Sequence, residues 1–245
     1  MLYASINSVY TLVKAVANVN QRGFISPSNI NAFSAQAQLE VFHETLHEYK
    51  MAMADRQRYL SSYKSAYNSI QSIEDDLKPL LRVSVTLSSI LSSNEFTTPN
   101  DFAYFLSLTA RDVEASIVSP ESISFSRRSF LSLPSEFNPT AYFTVDKVVV
   151  YPESIISNVK LSYYKTPKGV DVSTGLASES MPTYGYNVIN GSEIYNPSSS
   201  IDFELPKHLE NKIASKILSY VGISLSMNDI VQFAELQQQK ETANG

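Results

Sequence analysis

The chain has no cysteine and no tryptophan, and only 7 of its 245 residues are glycine. Without cysteine there is neither a disulfide framework nor a thiolate metal site, and the absence agrees with assembly in a reducing cytoplasm. Scarce glycine leaves no phosphate-cradling loop: neither G-x-G-x-x-G nor G-x-x-x-x-G-K-[ST] occurs, which sets nucleotide chemistry aside. No apolar run approaches the roughly 18 residues of a spanning helix, and the opening residues lack the basic and apolar regions of a secretory leader. A soluble protein with no membrane insertion is expected. An excess of positive charge is also missing. At a formal charge of −5 the chain does not read as a general nucleic-acid binder, which draws its affinity from phosphate contacts.

What is present is ample apolar material. With 43% hydrophobic residues and 18% charge, the chain can bury one good core or two lobes. Ser5 stands ready to cap a first helix whose apolar positions Ile6, Val9, Tyr10, Val13 and Val16 recur every three or four residues, and Gly23 is placed to end it. Ser26 and Pro27 then open a second helix, proline occupying the first position, where no amide donor is needed. Its apolar seam is long: Leu39, Phe42, Leu46, Tyr49, Met53, Leu60, Tyr63, Tyr67, Ile70 and Leu77, broken only by Arg56 and Glu74. Unbroken helix from Pro27 to Leu77 would run roughly 75 Å, with a possible kink at residues 54–58, and Pro79 ends it. The first helix is too short to cover such a seam. Packing on the first helix and the carboxy-terminal helices accounts for the stripe most simply, and the length left over is expected to pack on neighbouring copies or partner proteins, with Tyr49, Met53, Tyr63 and Tyr67 as interface candidates.

After Pro79 the period changes to the alternation of strands, with Val83, Val85 and Leu87 on one face. The apolar FAYFLSL follows Asp101, residues 120–131 suggest a short helix, and 142–145 with 147–151 read as a hairpin around Asp146. A further strand spans 158–165, and residues 169–182, rich in Ser, Gly and Thr, read as a long loop. Asn190-Gly191 is the strongest turn signal in the chain and centres a hairpin over 184–194, whose tip is a further contact candidate. From Pro206 the helical period returns in Leu209, Ile213, Ile217, Tyr220 and Val221, with Gly222 as the expected end; Asn228 is placed to cap one more helix, and the last residues are polar. The reading is α+β: a long amino-terminal helical hairpin over 1–79, a central β-rich lobe over 80–205, and carboxy-terminal helices over 206–245 that pack on the first part.

Chemistry-bearing motifs are few. His43-Glu44-Thr45-Leu46-His47 reads H-E-x-x-H on a helix, a spacing that sets both imidazoles on one face for zinc, with Glu44 as general base of a hydrolase. A third ligand is needed, and on a continuous helix the downstream candidate Glu74 lies roughly 40 Å from His47. Glu48, following the second histidine, is charged where such helices usually stay apolar. Solvated polar residues beside the Phe42 and Leu46 seam account for the motif more simply, so no metal, cofactor or catalytic residue is assigned, and the zinc-dependent hydrolase is kept as the alternative. His208 adds nothing to it. Asp75-Asp76 and Asp101 read as helix-end and turn residues, and Ser126-Arg127-Arg128-Ser129 as a small solvated basic spot that in a DNA conduit would face DNA or an acidic loop.

Three blocks carry a family resemblance. They are S-I-N-x-V-Y, Q-R-G-F-I-x-P and A-Q-A-Q-L-E near the start, V-Y-P with S-Y-Y-K-T-P in the middle, and D-F-E-L with K-I-L-x-Y-x-G-I-S-L near the end. In order and spacing the chain resembles structural proteins of crAss-like tailed bacteriophages, and its layout is similar to the tail-adaptor and ring proteins of short-tailed phages. The resemblance implies a non-enzymatic neck component below the portal, in a closed ring of roughly twelve copies, extending the DNA channel and docking tail parts. It implies a virion location after assembly in the bacterial cytoplasm. Partners would be further copies, the portal and other neck or tail rings, with DNA only passing through. No catalytic residue carries over. The matched positions Asn7, Tyr10, Gly23, Pro27, Gln38, Tyr151, Pro152, Pro167, Asp202, Phe203 and Gly222 are structural.

Overall fold

A computed structural model describes residues 3–18, 25–58, 63–128 and 133–224, and of residues 18, 56–58, 63–69 and 223–224 the backbone alone. Gly23 and the helix expected after Asn228 lie outside the described residues, as does the polar tail. The fold mixes helix and strand, and the chain divides into two compact units, one of residues 1–79 with 167–245 and one of 80–166. The β-rich lobe expected to end at residue 205 therefore closes at 166, and the strands that follow belong with the helices.

The helical unit contains α1 (Ile6–Asn18), α2 (Pro27–Arg58), α3 (Tyr63–Leu77) and α5 (Glu210–Ser224). Ser26 opens α2 as its sequence suggests, its hydroxyl accepting from the Asn29 amide at 3.4 Å. The opening of α1 is held from afar instead. The Ile6 amide donates to Asp202 Oδ1 at 2.7 Å and the Ser5 amide to Glu210 Oε1 at 2.9 Å, so carboxylates distant in sequence take the donors that a helix start leaves free. Buried Ile6, Val9, Tyr10 and Val13 line α1, which packs on α5.

Of the two readings of 27–77, unbroken helix or an interruption near 54–58, the unbroken one fails: α2 ends at Arg58 and α3 begins at Tyr63. α3 returns along α2 and brings Asp76 within electrostatic reach of Glu48, residues that a continuous helix would hold about 40 Å apart. Phe42, Leu46 and Tyr49 of the seam are buried within the chain, as are Ile70 and Leu77 of α3. The α2 seam packs on α5, one of the carboxy-terminal helices expected to cover it, and on α3, whose return its periodicity could not reveal because any apolar stripe fits any apolar partner. Gly222, expected as a helix end, lies buried inside α5, which continues to Ser224.

The same unit holds β9 (Gly169–Asp171), β10 (Ala177–Ser178) and β13 (Ile201–Phe203) in the order β10-β9-β13, and the separate hairpin of β11 (Tyr186–Ile189) and β12 (Ser192–Tyr195). Part of the expected loop over 169–182 is thus sheet. Asp171 Oδ1 takes the amides of Ser173 and Thr174 at 2.8 and 3.0 Å, and Gly175 at φ +68° completes the turn that returns β10 along β9.

The other unit joins two four-stranded sheets around one core. β1 (Leu81–Thr86), β8 (Val159–Lys165), β3 (Phe102–Ala110) and β4 (Val113–Glu114) form the first, in the order β1-β8-β3-β4. β2 (Glu95–Thr97), β7 (Lys147–Tyr151), β6 (Thr140–Phe143) and β5 (Ser116–Ile117) form the second, in the order β2-β7-β6-β5. The one-turn helix α4 (Ile123–Ser126) lies between β5 and β6 in the chain. Phe96, Leu108, Val148, Val150 and Leu161 from both sheets share the core. The hairpin around Asp146 is present as β6 and β7. The alternation read over 83–87 fails in its middle: the register slips between Arg82 and Val85, Ser84 adopts φ +53°, and Val83 stands 64% exposed.

Candidate functional site

The H-E-x-x-H motif lies on α2 with His43 and His47 exposed on the helix surface. Glu44 points elsewhere. Glu40, Glu44 and Glu48 repeat every fourth residue on α2, and Lys212, Lys216 and Tyr220 repeat every fourth residue on α5, so that two stripes meet. Lys216 Nζ contacts Glu40 at 2.9 Å and Glu44 at 2.5 Å; Lys212 reaches Glu44 at 3.4 Å and Glu48 at 3.5 Å; the Tyr220 hydroxyl donates to Glu40. Burial pushes the Glu40 carboxyl up, but the hydrogen bonds from Tyr220 and Lys216 outweigh it and hold its pKa below the usual carboxylate value. Burial likewise opposes the charge of Lys216, yet Glu44 and Glu40 raise its pKa above the ordinary lysine value. His208 closes the ladder beyond Glu48 by pairing with Asp76 at 2.6 Å. Burial, aided by Glu48, raises the Asp76 carboxyl above its usual value against the opposing pull of His208.

This geometry assigns Glu44 to packing α2 on α5. Because α3 folds back, distance along a continuous helix is no longer the reason to set Glu74 aside. Among the described residues, no group of three His, Cys, Asp or Glu side chains has the arrangement to hold a metal. The two four-residue repeats were visible in the sequence, but only the fold shows that they face each other.

A second constellation centres on α2 and the segment that follows β10. Gln38, fully buried, donates to the Lys168 carbonyl at 2.6 Å and accepts from the Glu204 amide at 2.9 Å. Two turns earlier, Asn31 does the same for Tyr184, accepting from its amide at 2.7 Å and donating to its carbonyl at 3.1 Å. These two amide clamps, seven residues apart on one helix, moor the chain on either side of the β11–β12 hairpin. Tyr184 also stacks on Tyr10 of α1 with centroids 4.1 Å apart, and its ring lies 5.1 Å from that of Tyr195 and 6.5 Å from that of Tyr186. Burial, reinforced by Glu193, pushes the Tyr10 phenol up to about 12. Sequence reasoning matched Tyr10 and Gln38 to a family pattern without finding what they hold, and did not single out Asn31 or Tyr184.

On that anchored base the hairpin projects. Ile189 pairs with Ser192 across Asn190-Gly191, at φ +51° and +78°, the left-handed pair that a two-residue type I′ turn requires. Three apolar side chains stand in solvent around the tip: Val188 at 65% exposure, Ile189 at 52% and Ile194 at 48%. Of the interface candidates, Asn190 and Gly191 are exposed and Met53 is half-buried, whereas Tyr49 is only 6% exposed and belongs to the interior of its unit. The side chains of Tyr63 and Tyr67 lie outside the described residues. In the other unit Arg127 pairs with Glu153 at 3.1 Å and lies over the Tyr151 ring, so this arginine of the basic spot serves an internal contact. No helix among the described residues is long and apolar enough to cross a membrane. No protein-family model matches the sequence, and no curated protein matches it.

Proposed function

We propose that this chain is a structural subunit of a bacteriophage virion that assembles as a ring in the neck below the portal, extends the DNA channel and docks tail components without catalysing a reaction. The observation that carries the reading is the β11–β12 hairpin, a firmly moored element whose tip places three aliphatic side chains in water. Such a tip gains stability only when a partner covers it. The engagement of Glu44 by two lysines supports the reading as well, since it gives the H-E-x-x-H helix a packing role. The resemblance of the three sequence blocks to phage structural proteins supplies the identity of the assembly, and the acidic balance suits a channel wall that DNA passes without adhering.

Native mass spectrometry of the purified chain, alone and with the portal ring, tests the proposal. Complete rings of this chain, or a complete ring added to the portal, are the expected result. A chain that stays monomeric at high concentration and ignores the portal overturns it.

A further inference from the structure

β11 and β12 form a two-stranded sheet that no third strand joins among the described residues. Two-stranded hairpins are marginal in water on their own, and the base of this one is held by the stacking of Tyr184 with Tyr10 and Tyr195. The direction of its backbone groups follows from one bond. The Asn196 amide donates to the Gly185 carbonyl at 2.9 Å, and in an antiparallel ladder bonded and non-bonded pairs alternate. Pairs Asn187 with Ile194 and Ile189 with Ser192 therefore bond within the hairpin. Pairs Tyr186 with Tyr195 and Val188 with Glu193 turn their amides and carbonyls outward, the first member of each along the β11 edge and the second along the β12 edge.

Open edges of this kind are templates for another strand, and proteins that avoid such pairing blunt them. The sandwich of this chain does so: its edge strand β1 carries the bulge at Val83–Ser84 beside Arg82. The hairpin has no bulge, proline or lysine on either strand. We infer that the hairpins of successive copies of this chain join edge to edge, the β12 edge of one copy pairing with the β11 edge of the next, to build a continuous sheet through the assembly. The occupant is a second copy for two reasons. β11 is uncharged and β12 carries only Glu193, so β11 against β12 opposes no like charges, whereas β12 against β12 sets Glu193 near its own copy. β11 against β11 avoids that repulsion but leaves both β12 edges open; head-to-tail addition uses every edge and, on closing, leaves none. Alternation then sends Tyr186, Val188, Glu193 and Tyr195 to one face of the shared sheet and Asn187, Ile189, Ser192 and Ile194 to the other.

The inference rests on the ring reading, and two experiments on the full chain separate them. Val188→Pro removes one outward amide and spares the hairpin's own ladder, so the variant keeps its fold. Ring formation, read by native mass spectrometry, should weaken about tenfold per joint. The natural absence of cysteine supplies the second experiment. A mixture of Val188→Cys chains with Glu193→Cys or Tyr195→Cys chains should form disulfide-linked dimers on oxidation, while each variant alone should not. Rings that assemble equally well with Val188→Pro, and no cross-linking in the mixtures, overturn the hairpin joint and leave the ring reading standing. Cross-linking of Val188→Cys with itself overturns the head-to-tail order. Absence of any ring from the unsubstituted chain, with or without the portal, overturns the ring reading.

Discussion

The side chain of Gln38 accepts a hydrogen bond from the backbone amide of Glu204, 166 residues away in sequence, at 2.9 Å. Through its other end it donates to Lys168, so one buried amide joins the middle of α2 to the start of β9 and the end of β13. Glu204 returns the link by accepting from the Lys168 amide at 3.0 Å. Three segments distant in sequence thus meet without an apolar contact being needed to specify their register.

Replacing Gln38 by leucine keeps the volume but leaves the Lys168 carbonyl and the Glu204 amide without this partner in a buried place. The expected cost is about 2–6 kcal/mol, from roughly 1–3 kcal/mol for each of the two stranded groups. Urea denaturation monitored by circular dichroism measures it. A loss below about 0.5 kcal/mol would show that the clamp is redundant.

The Lys216 ladder predicts a pH profile. Glu40 has a lower pKa folded than unfolded, so its contribution is fully present above its ordinary value of 4.5 and is lost as the pH falls through the lower folded value. Lys216 has a higher pKa folded than unfolded, so its contribution is complete below 10.5 and is lost as the pH rises through the higher folded value. The contribution of this ladder should therefore be flat between those limits. Lys216→Met should remove the alkaline loss and destabilise the protein at neutral pH by about 1–3 kcal/mol, less than a fully buried pair would cost because both carboxylates are 37% exposed. Denaturation midpoints measured from pH 3 to 11 test both statements.

Two glycines of the hairpin region should respond differently to alanine, one globally and one locally. At Gly185 an added Cβ would fall 2.2 Å from Ser199 Oγ and 2.6 Å from the Ser199 carbonyl carbon, a clash with backbone. Gly185→Ala should cost about 1–3 kcal/mol globally. At Gly191 no atom lies within 4 Å, so Gly191→Ala meets only the strain of φ +78° and should cost about 1 kcal/mol, confined to the hairpin. Hydrogen exchange distinguishes a local loss at 186–195 from a global one.

Zinc provides a direct check on the H-E-x-x-H helix. The purified chain should bind zinc no more tightly than a His43→Ala/His47→Ala variant, as measured by calorimetric titration. Glu44→Gln should lower thermal stability by about 0.5–1 kcal/mol, the scale of a partly exposed ion pair. A stoichiometric zinc site lost in the double variant, with hydrolytic activity lost in Glu44→Gln, would establish the hydrolase instead.

Local chemistry was legible in the sequence because it depends on neighbours along the chain. Ser26-Pro27 opens α2, the 3.6-residue period marks α1, and Asn190-Gly191 sets a two-residue turn, each decided by backbone sterics or by a hydrogen bond spanning a few residues. What the stripes pack on was not legible. The apolar positions Phe42, Leu46 and Tyr49 look the same whether a neighbouring copy or the returning α3 covers them, since apolar burial has no direction. The grouping of 167–205 with the helices was equally hidden, because it rests on Gln38 and Asn31 bonding backbone groups, which every residue carries and no sequence pattern advertises. The sequence by itself determined where α2 starts and where the hairpin turns. The tertiary structure alone decided that Glu44 of a zinc-like motif would face Lys216, and that the hairpin would stand on a base of stacked tyrosines with no third strand beside it among the described residues.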